Sequence, residues 1–353
     1  MMSRVGRPAS GLAARDSRSR PRERGIALLL ALLVLTILIL LVGQMVISGA
    51  HNKAIARNAT ASLQNEYGVL AGYRHACVRI LADRDRTPDV DSLDNVWNTG
   101  FSFALGGAMV SGRVVDVERR FNLSALVNDD GEIVPEAKEQ LVRLIQNLGH
   151  EAADNAERIA DYVDADTKGA FEAGARNARL LNLQELQRIE GLKKEVLFGD
   201  AQHRGLLPFL TVWPKEGGLK VNPNTAPLEV LQSLDDDMTA ERAQAIITWR
   251  TTVGEDGKNR AFKSIEDLKK VTELPNDLLT RIGDRLAYKA RAFEIRITST
   301  FSNVTRKELY AVAWTSENAG DGGPGGQPQA DSGKLKLLSS MREHDYFDLK
   351  PDE

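Results

Sequence analysis

The stretch Arg22-Glu23-Arg24-Gly25-Ile26-Ala27-Leu28-Leu29-Leu30 decides how this chain is read, because a basic leader turns there into an apolar helix within one residue. Upstream, Arg4, Arg7, Arg15, Arg18, Arg20, Arg22 and Arg24 face only Asp16 and Glu23. Downstream, Ile26 to Ile47 carries no charge, and at about 1.5 Å per residue such a run spans the ~30 Å hydrocarbon core of a bilayer. The leading arginines place the N-terminus in the cytoplasm and everything after Ser48 on the far side, the periplasm in a bacterium. A cleaved secretory signal would have a shorter apolar region and a small-residue cleavage site. A plain signal anchor would explain the run without requiring any particular residue at the junction.

The junction itself resembles a prepilin peptidase site, where a basic leader ends in glycine. Glycine lets a protease approach the backbone closely. The resemblance implies cleavage between Gly25 and Ile26, so that Ile26 begins the mature chain. Pilin-class proteins commonly carry glutamate as the fifth mature residue, and here that position is Leu30. A carboxylate in a bilayer costs several kcal/mol unless it is paired. Its absence suits a subunit at the end of a filament, with no membrane-embedded partner to satisfy.

Past the membrane segment, the chain is free of proline until Pro88. Leu63, Tyr67, Leu70, Cys77 and Leu81 recur at helical spacing, which predicts one long amphipathic helix with that stripe packed on a sheet. Strand-like sequence follows at Met109 to Val117. A clear alternation, Glu294 to Phe301, is followed by Glu308 to Trp314, as in an antiparallel hairpin. Some 170 mostly helical residues lie between these regions, so the sheet must carry an insertion. The reading is α+β: a long transmembrane and amphipathic helix on a small antiparallel sheet, pilin-like, with a large inserted all-α domain. Its expected boundaries are a leader at 1–25, a membrane segment at 26–47, the helix and first strand at 48–121, the insertion at 122–287, the returning strands at 288–316 and a tail at 317–353. The segment Glu317 to Gly333 has too little apolar surface to offset its ordering entropy, so the tail is expected to be disordered, with a short helix as the alternative from Lys334 onward.

Inside the insertion, the run from Asn182 to Leu192 resembles that from Ser264 to Leu274, each with a capping residue and apolar residues one, four and seven positions later. Thr225 is expected to cap a further helix, with Pro227 in its first turn. These units are similar to helix-hairpin-helix or SAM-like repeats, which makes a membrane-anchored DNA-uptake protein the rival reading. Such modules hold phosphate with glycine hairpins and helix N-termini. The two hairpin positions here read Leu234-Asp235-Asp236-Asp237-Met238 and Thr272-Glu273-Leu274-Pro275-Asn276. Three successive carboxylates and a proline without an N–H donor argue against a phosphate site. Neither the net charge of −3 nor the sequence around the repeats calls for a nucleic-acid partner.

Four ordered motifs carry the family resemblance: Phe121-Asn122-Leu123, Ile159-Ala160-Asp161-Tyr162-Val163-Asp164-Ala165-Asp166, Leu207-Pro208-Phe209-Leu210-Thr211-Val212, and Val221-Asn222-Pro223-Asn224-Thr225-Ala226-Pro227. With the leader, they make the chain similar to the K-type minor pseudopilins of type II secretion. The resemblance implies an inner-membrane, single-pass subunit at the pseudopilus tip that initiates or caps assembly and supports export. It implies I- and J-type minor pseudopilins, the major pseudopilin and the prepilin peptidase as partners, with secreted substrate or the outer-membrane secretin as further contacts. Some K-type members bind calcium, and Asp161, Asp164, Asp166 and Glu172 gather oxygen donors of the kind calcium takes. The competing reading is a solvated acidic turn neutralised by Lys168 and Arg176. The histidines are scattered, Cys77 is alone, and no catalytic order is present, so no enzymatic activity is expected. Trp213, Trp249 and Trp314 are expected in the core.

Overall fold

A computed structural model describes residues 21–254, 257–315 and 334–342, with side chains from Gly25 onward. The chain divides into two compact units, Met1–Thr60 and Ala61–Glu353. Helix α1, Pro21–Arg86, passes through both. In the first unit, the residues from Gly25 to Thr60 are exposed. The helix has an 18-residue window of mean hydropathy 3.3, none of it buried, and is long and apolar enough to cross a membrane.

In the second unit, α1 lies on an antiparallel sheet of strands β1 (Phe101–Leu105), β2 (Ala108–Asp116), β5 (Ala292–Phe301), β6 (Val304–Thr315) and β7 (Lys334–Arg342), in the order β1-β2-β5-β6-β7. The face of α1 that meets the sheet is small: Ala61, Asn65, Gly68, Val69, Gly72, Ala76 and Ile80, all at helical spacing. A Cβ added to Gly68 would lie 2.2 Å from Ser299 Oγ, and one on Gly72 would lie 2.7 Å from Ile297 Cγ2. Helix and sheet therefore close on backbone rather than on large side chains. This overturns the expected packing stripe, because Leu63, Tyr67, Leu70 and Leu81 are 37–57% exposed and only Cys77 is half-buried. The periodicity was real, but large apolar residues do not fit where backbone must approach a sheet.

The core under α1 joins Val69, Ala76 and Ile80 to Val110, Val114, Phe293, Ile295, Ile297, Tyr310 and Val312, with Trp97 sealed beneath them. Trp97 is the tryptophan that is fully buried, whereas Trp213, Trp249 and Trp314 are half-buried, with Lys215, Arg260 and Arg84 over their rings. The expected hairpin is present as β5 and β6, with Phe301 opposite Val304. The region from Lys334 is a strand rather than a helix or tail, because Leu335 packs on the core under α1. The remaining tail positions, 316–333 and 343–353, lie outside the described residues.

Between β2 and β5 stands the insertion. It contains α2 (Pro135–Asn147), α3 (Ala153–Val163), α4 (Lys194–Phe198), α5 (Leu228–Gln232), α6 (Ala240–Thr251), α7 (Ile265–Leu268) and α8 (Asn276–Ile282) around a second core. It is not wholly helical, since β3 (Phe121–Asn122) and β4 (Leu210–Thr211) pair in parallel at its base. The two similar runs form short helical pieces, a 3-10 turn at Leu183–Arg188 and the four-residue α7. Their apolar spacing buries Leu183, Leu186 and Ile189 in one, and Leu268 and Val271 in the other, with Ile265 partly buried.

Candidate functional site

Gly25, Ile26 and Leu30 all fall on the exposed apolar part of α1. Nothing lies within 4 Å of a Cβ placed on Gly25, and Ile26 and Leu30 are each 57% exposed.

The acidic cluster forms where α3 stops. Helix geometry carries Asp161 into the last turn, Asp164 follows as the capping residue, and the chain then folds back through Lys168 and Gly169 to Glu172. Asp161, Asp164 and Glu172 each present a carboxylate oxygen within 4.8 Å of the others. Asp166 does not join them and accepts from the Lys168 N–H at 2.6 Å. The fold-back depends on Gly169, where a Cβ would meet Asp161 Oδ2 at 2.3 Å. Asp161 also accepts the Phe171 N–H at 2.8 Å.

Charge is not balanced at this turn. Asp164 Oδ1 and both Glu172 oxygens are shielded from solvent without a hydrogen-bond partner, although Glu172 as a residue is only partly buried. Burial, then the carboxylates of Glu172, Asp166 and Asp161, push Asp164 up to about 6, and Glu172 is raised for the same reasons. Arg176 does not neutralise them, because it pairs with Glu185. Lys168 makes no ion pair among the described residues. Shielded oxygens held together without a counter-charge are the arrangement that a bound cation satisfies, and all-oxygen donors suit a hard cation such as calcium. The residues present therefore fit the ion.

A second group of polar residues ties insertion to sheet. Asp116, at the end of β2, accepts from the Glu118 N–H at 2.8 Å, Asn222 Nδ2 at 2.9 Å and Thr225 Oγ1 at 2.7 Å. Thr225 is thus a tether and not the expected cap, and Pro227 occupies the capping position of α5. Asn222 also donates to the Asp91 carbonyl at 3.0 Å, while the Asp91 carboxylate accepts from Ala290 N and Trp97 Nε1 and pairs with Arg84 at 2.9 Å. Burial raises Asp91 to about 6, and burial plus neighbouring Asp116 raises Glu118 to about 7. Glu294 behaves oppositely: burial works against its charge, but Arg120 and Arg296 outweigh it and hold it at about 2. Sequence reasoning missed this network. Its available signal was the Asn222-Pro223-Asn224-Thr225 run, polar residues that are all buried.

At the first repeat turn, Arg281 engages Asp235 and Asp237, and Arg143 engages Asp236 at 3.0 Å. The carboxylates close this turn with arginines from elsewhere in the insertion. At the second position, Pro275 caps α8.

A long apolar N-terminal helix backed by an antiparallel sheet is the architecture of a pilin-like subunit. Residues 119–215 and 221–287 match the two family models described as type II secretion system (T2SS), protein K. Type II secretion system protein K of Pectobacterium carotovorum subsp. carotovorum is 26% identical over 79% of this chain and 88% of its own length. The corresponding protein of Pseudomonas aeruginosa is 27% identical over 81% and 86%. A chain in the crystal structure of the GspK-GspI-GspJ complex from enterotoxigenic Escherichia coli shares the fold with a TM-score of 0.63, at 15% identity, over 82% of this chain and 99% of that one. The chain thus matches the type II secretion system protein K family over both of its models, and it is a minor pseudopilin of type II secretion.

Proposed function

We infer that this minor pseudopilin sits at the tip of the pseudopilus, where it initiates or caps assembly with I- and J-type partners and supports export. The observation that carries this reading is the insertion of a separately cored helical body between two adjacent strands of the pilin sheet. Bulk at that place hinders addition of another subunit on that side. Leu30 supports the same position, because an end subunit has no neighbour's N-terminal amine to pair with in the membrane. The structural relative comes from a complex of three such proteins, which favours I- and J-type partners here.

The outward stripe of α1, with Leu63, Tyr67, Leu70, Val78 and Leu81, is the face offered to those partners. An apolar row at helical spacing fits another helix. Peptidase processing after Gly25 leaves Ile26 at the N-terminus of an inner-membrane helix, with the second unit in the periplasm. Calcium, held by Asp161, Asp164 and Glu172 with Asp166 beside them, supplies the positive charge that this turn lacks. The bonding of Asp235, Asp236 and Asp237 weighs against the DNA-uptake reading and against the repeats acting as phosphate grips.

A photo-crosslinking residue placed at Tyr67 tests the partner assignment in secreting cells. Adducts with the I- or J-type pseudopilin are expected. Adducts confined to the major pseudopilin would place the chain along the shaft and overturn the tip reading. In the same cells, a mature N-terminus other than Ile26 would overturn the processing step.

A further inference from the structure

Two arginines come together where the insertion joins the sheet. Arg119 ends the 3-10 turn Val117–Arg119 that follows β2, and Arg250 lies in the last turn of α6. One stretch of chain links their surroundings. The Asn222 N–H donates to the Glu118 carbonyl at 2.8 Å, and the next carbonyl, that of Pro223, accepts from Arg250 Nη1 at 2.7 Å. Burial and then the charge of Arg119 bring Arg250 down to about 10, with no carboxylate to offset them. Burial and then Arg120 bring Arg119 to about 10 as well, against partial relief from Asp116 and Glu294.

Neither guanidinium has a partner of opposite charge. Arg250 is 8% exposed, and its Nε is shielded from solvent without a hydrogen-bond partner. Neither Arg119 nor Arg250 forms an ion pair among the described residues, and the Arg119 side chain forms no hydrogen bond among them. The nearby carboxylates are committed elsewhere. Asp116 accepts from the Glu118 N–H, Asn222 and Thr225, Glu118 pairs with Arg291, and Glu294 is held by Arg120 and Arg296. A buried charge is costly unless it is paired and hydrogen-bonded. The planar donor fork of arginine matches the paired oxygens of an oxyanion.

We propose that Arg119 and Arg250 bind a small oxyanion of the phosphate or sulfate class, which ties the end of α6 to the end of β2. Arg119 is partly exposed and gives the ion access, whereas the burial of Arg250 excludes a bulky ligand. The ion supplies the negative charge that this corner of the junction lacks, and its oxygens accept from Arg250 Nε and from the Arg119 fork. One arginine belongs to the insertion's helices and the other to the turn leaving the sheet, so both hold the ion only in the folded chain. Binding therefore stabilises the seat of the insertion on the sheet.

The test titrates inorganic phosphate into the full-length protein in detergent, in buffer free of calcium, phosphate and sulfate. The melting temperature should rise by several degrees and level off, as for a ligand that binds only the folded state. Sodium chloride at equal ionic strength should not reproduce the rise, and sulfate should substitute for phosphate. Arg119→Gln and, separately, Arg250→Gln should each raise the phosphate concentration needed by about tenfold. Arg188→Gln, which removes an exposed arginine from the Leu183–Arg188 turn, should leave it unchanged. Arg119→Gln keeps the test informative if Arg250→Gln fails to fold. Without phosphate it should melt no lower than the natural chain, because it removes a cation beside Arg120 and Arg250 and breaks no side-chain hydrogen bond. A rise matched by chloride, or a phosphate requirement unmoved by Arg119→Gln, would overturn the proposal. A rise with acetate but none with phosphate would assign the pair to a side-chain carboxylate of a partner protein and would equally overturn the small ion.

Discussion

At the residue scale, the three shielded carboxylate oxygens near the end of α3 set the sharpest expectation. A cation that binds only the folded state raises stability by RT ln(1 + [L]/Kd), about 2.7 kcal/mol at a hundredfold excess over Kd. Calcium should therefore raise the melting temperature of the full-length protein by several degrees. The double variant Asp164→Asn, Glu172→Gln should melt no lower without calcium and should show no rise with it, as differential scanning fluorimetry would reveal. An unchanged melting temperature for the natural chain would favour the bare acidic turn. The junction carboxylates make a second expectation, about pH. Asp91, raised to about 6, and Glu118, raised to about 7, hold protons more readily folded than unfolded. Their stabilising effect is complete below about pH 4 and is lost as pH rises through 6 and 7. Glu294, held at about 2, works in the other direction and costs stability only as pH falls below about 4.5. Chemical unfolding should thus show greater stability near pH 5 than near pH 8, and Glu118→Gln should flatten that difference. The motifs containing Asp161, Asp164 and Asn222 were legible in the sequence. Which of their oxygens would end up shielded was not, because that depends on Glu172 and Asp116, which reach these residues only in the folded chain.

At the element scale, α1 presents two apolar stripes that sequence periodicity alone does not rank. The stripe of Leu63, Tyr67, Leu70 and Leu81 is the more hydrophobic, and it faces out. Gly68 and Gly72 look like defects in a helix and instead mark the buried line, since glycine in a helix costs about 1 kcal/mol relative to alanine and calls for a compensating contact. Gly72→Val forces its side chain into Ile297 and should destabilise the fold by about 1–3 kcal/mol. Leu70→Ser should leave thermal stability within about 0.5 kcal/mol while reducing co-purification with partner pseudopilins. Equal destabilisation by the two substitutions would mean that the stripe is not an assembly face. The strands tell a similar story: β5 and β6 were legible from strict alternation, but β1, with the short run Phe101-Ser102-Phe103-Ala104-Leu105, was not. Its assignment depends on pairing with β2, which no local pattern encodes.

At the scale of the whole molecule, the insertion leaves the sheet and returns to it at one point. Asp116 at the end of β2 lies opposite Phe293 near the start of β5, so the two strands would remain neighbours if a short turn replaced everything between them. The large insertion was visible as a span of helical sequence, yet its two exits being adjacent was visible only in the folded chain. This adjacency lets a bulky body be carried without disturbing the sheet, and it provides a direct test of the tip reading. A chain in which residues 118–290 are replaced by a short hairpin turn loses the Glu118, Asn222 and Thr225 donors to Asp116 and the Ala290 donor to Asp91, so it should melt lower. Restoring neutrality with Asp116→Asn should recover part of the loss, because an unpaired buried carboxylate is more costly than an amide, whereas Asp91 keeps its pairing with Arg84. If the insertion blocks addition beyond this subunit, cells carrying the compensated chain at natural levels should make longer pseudopili and export less protein. Microscopy of pseudopilus length, normalised to the amount of processed subunit, reads the outcome. Pseudopili of unchanged length with the shortened subunit incorporated would mean that position in the filament is set by the membrane helix and its outward stripe, and not by the bulk above the sheet.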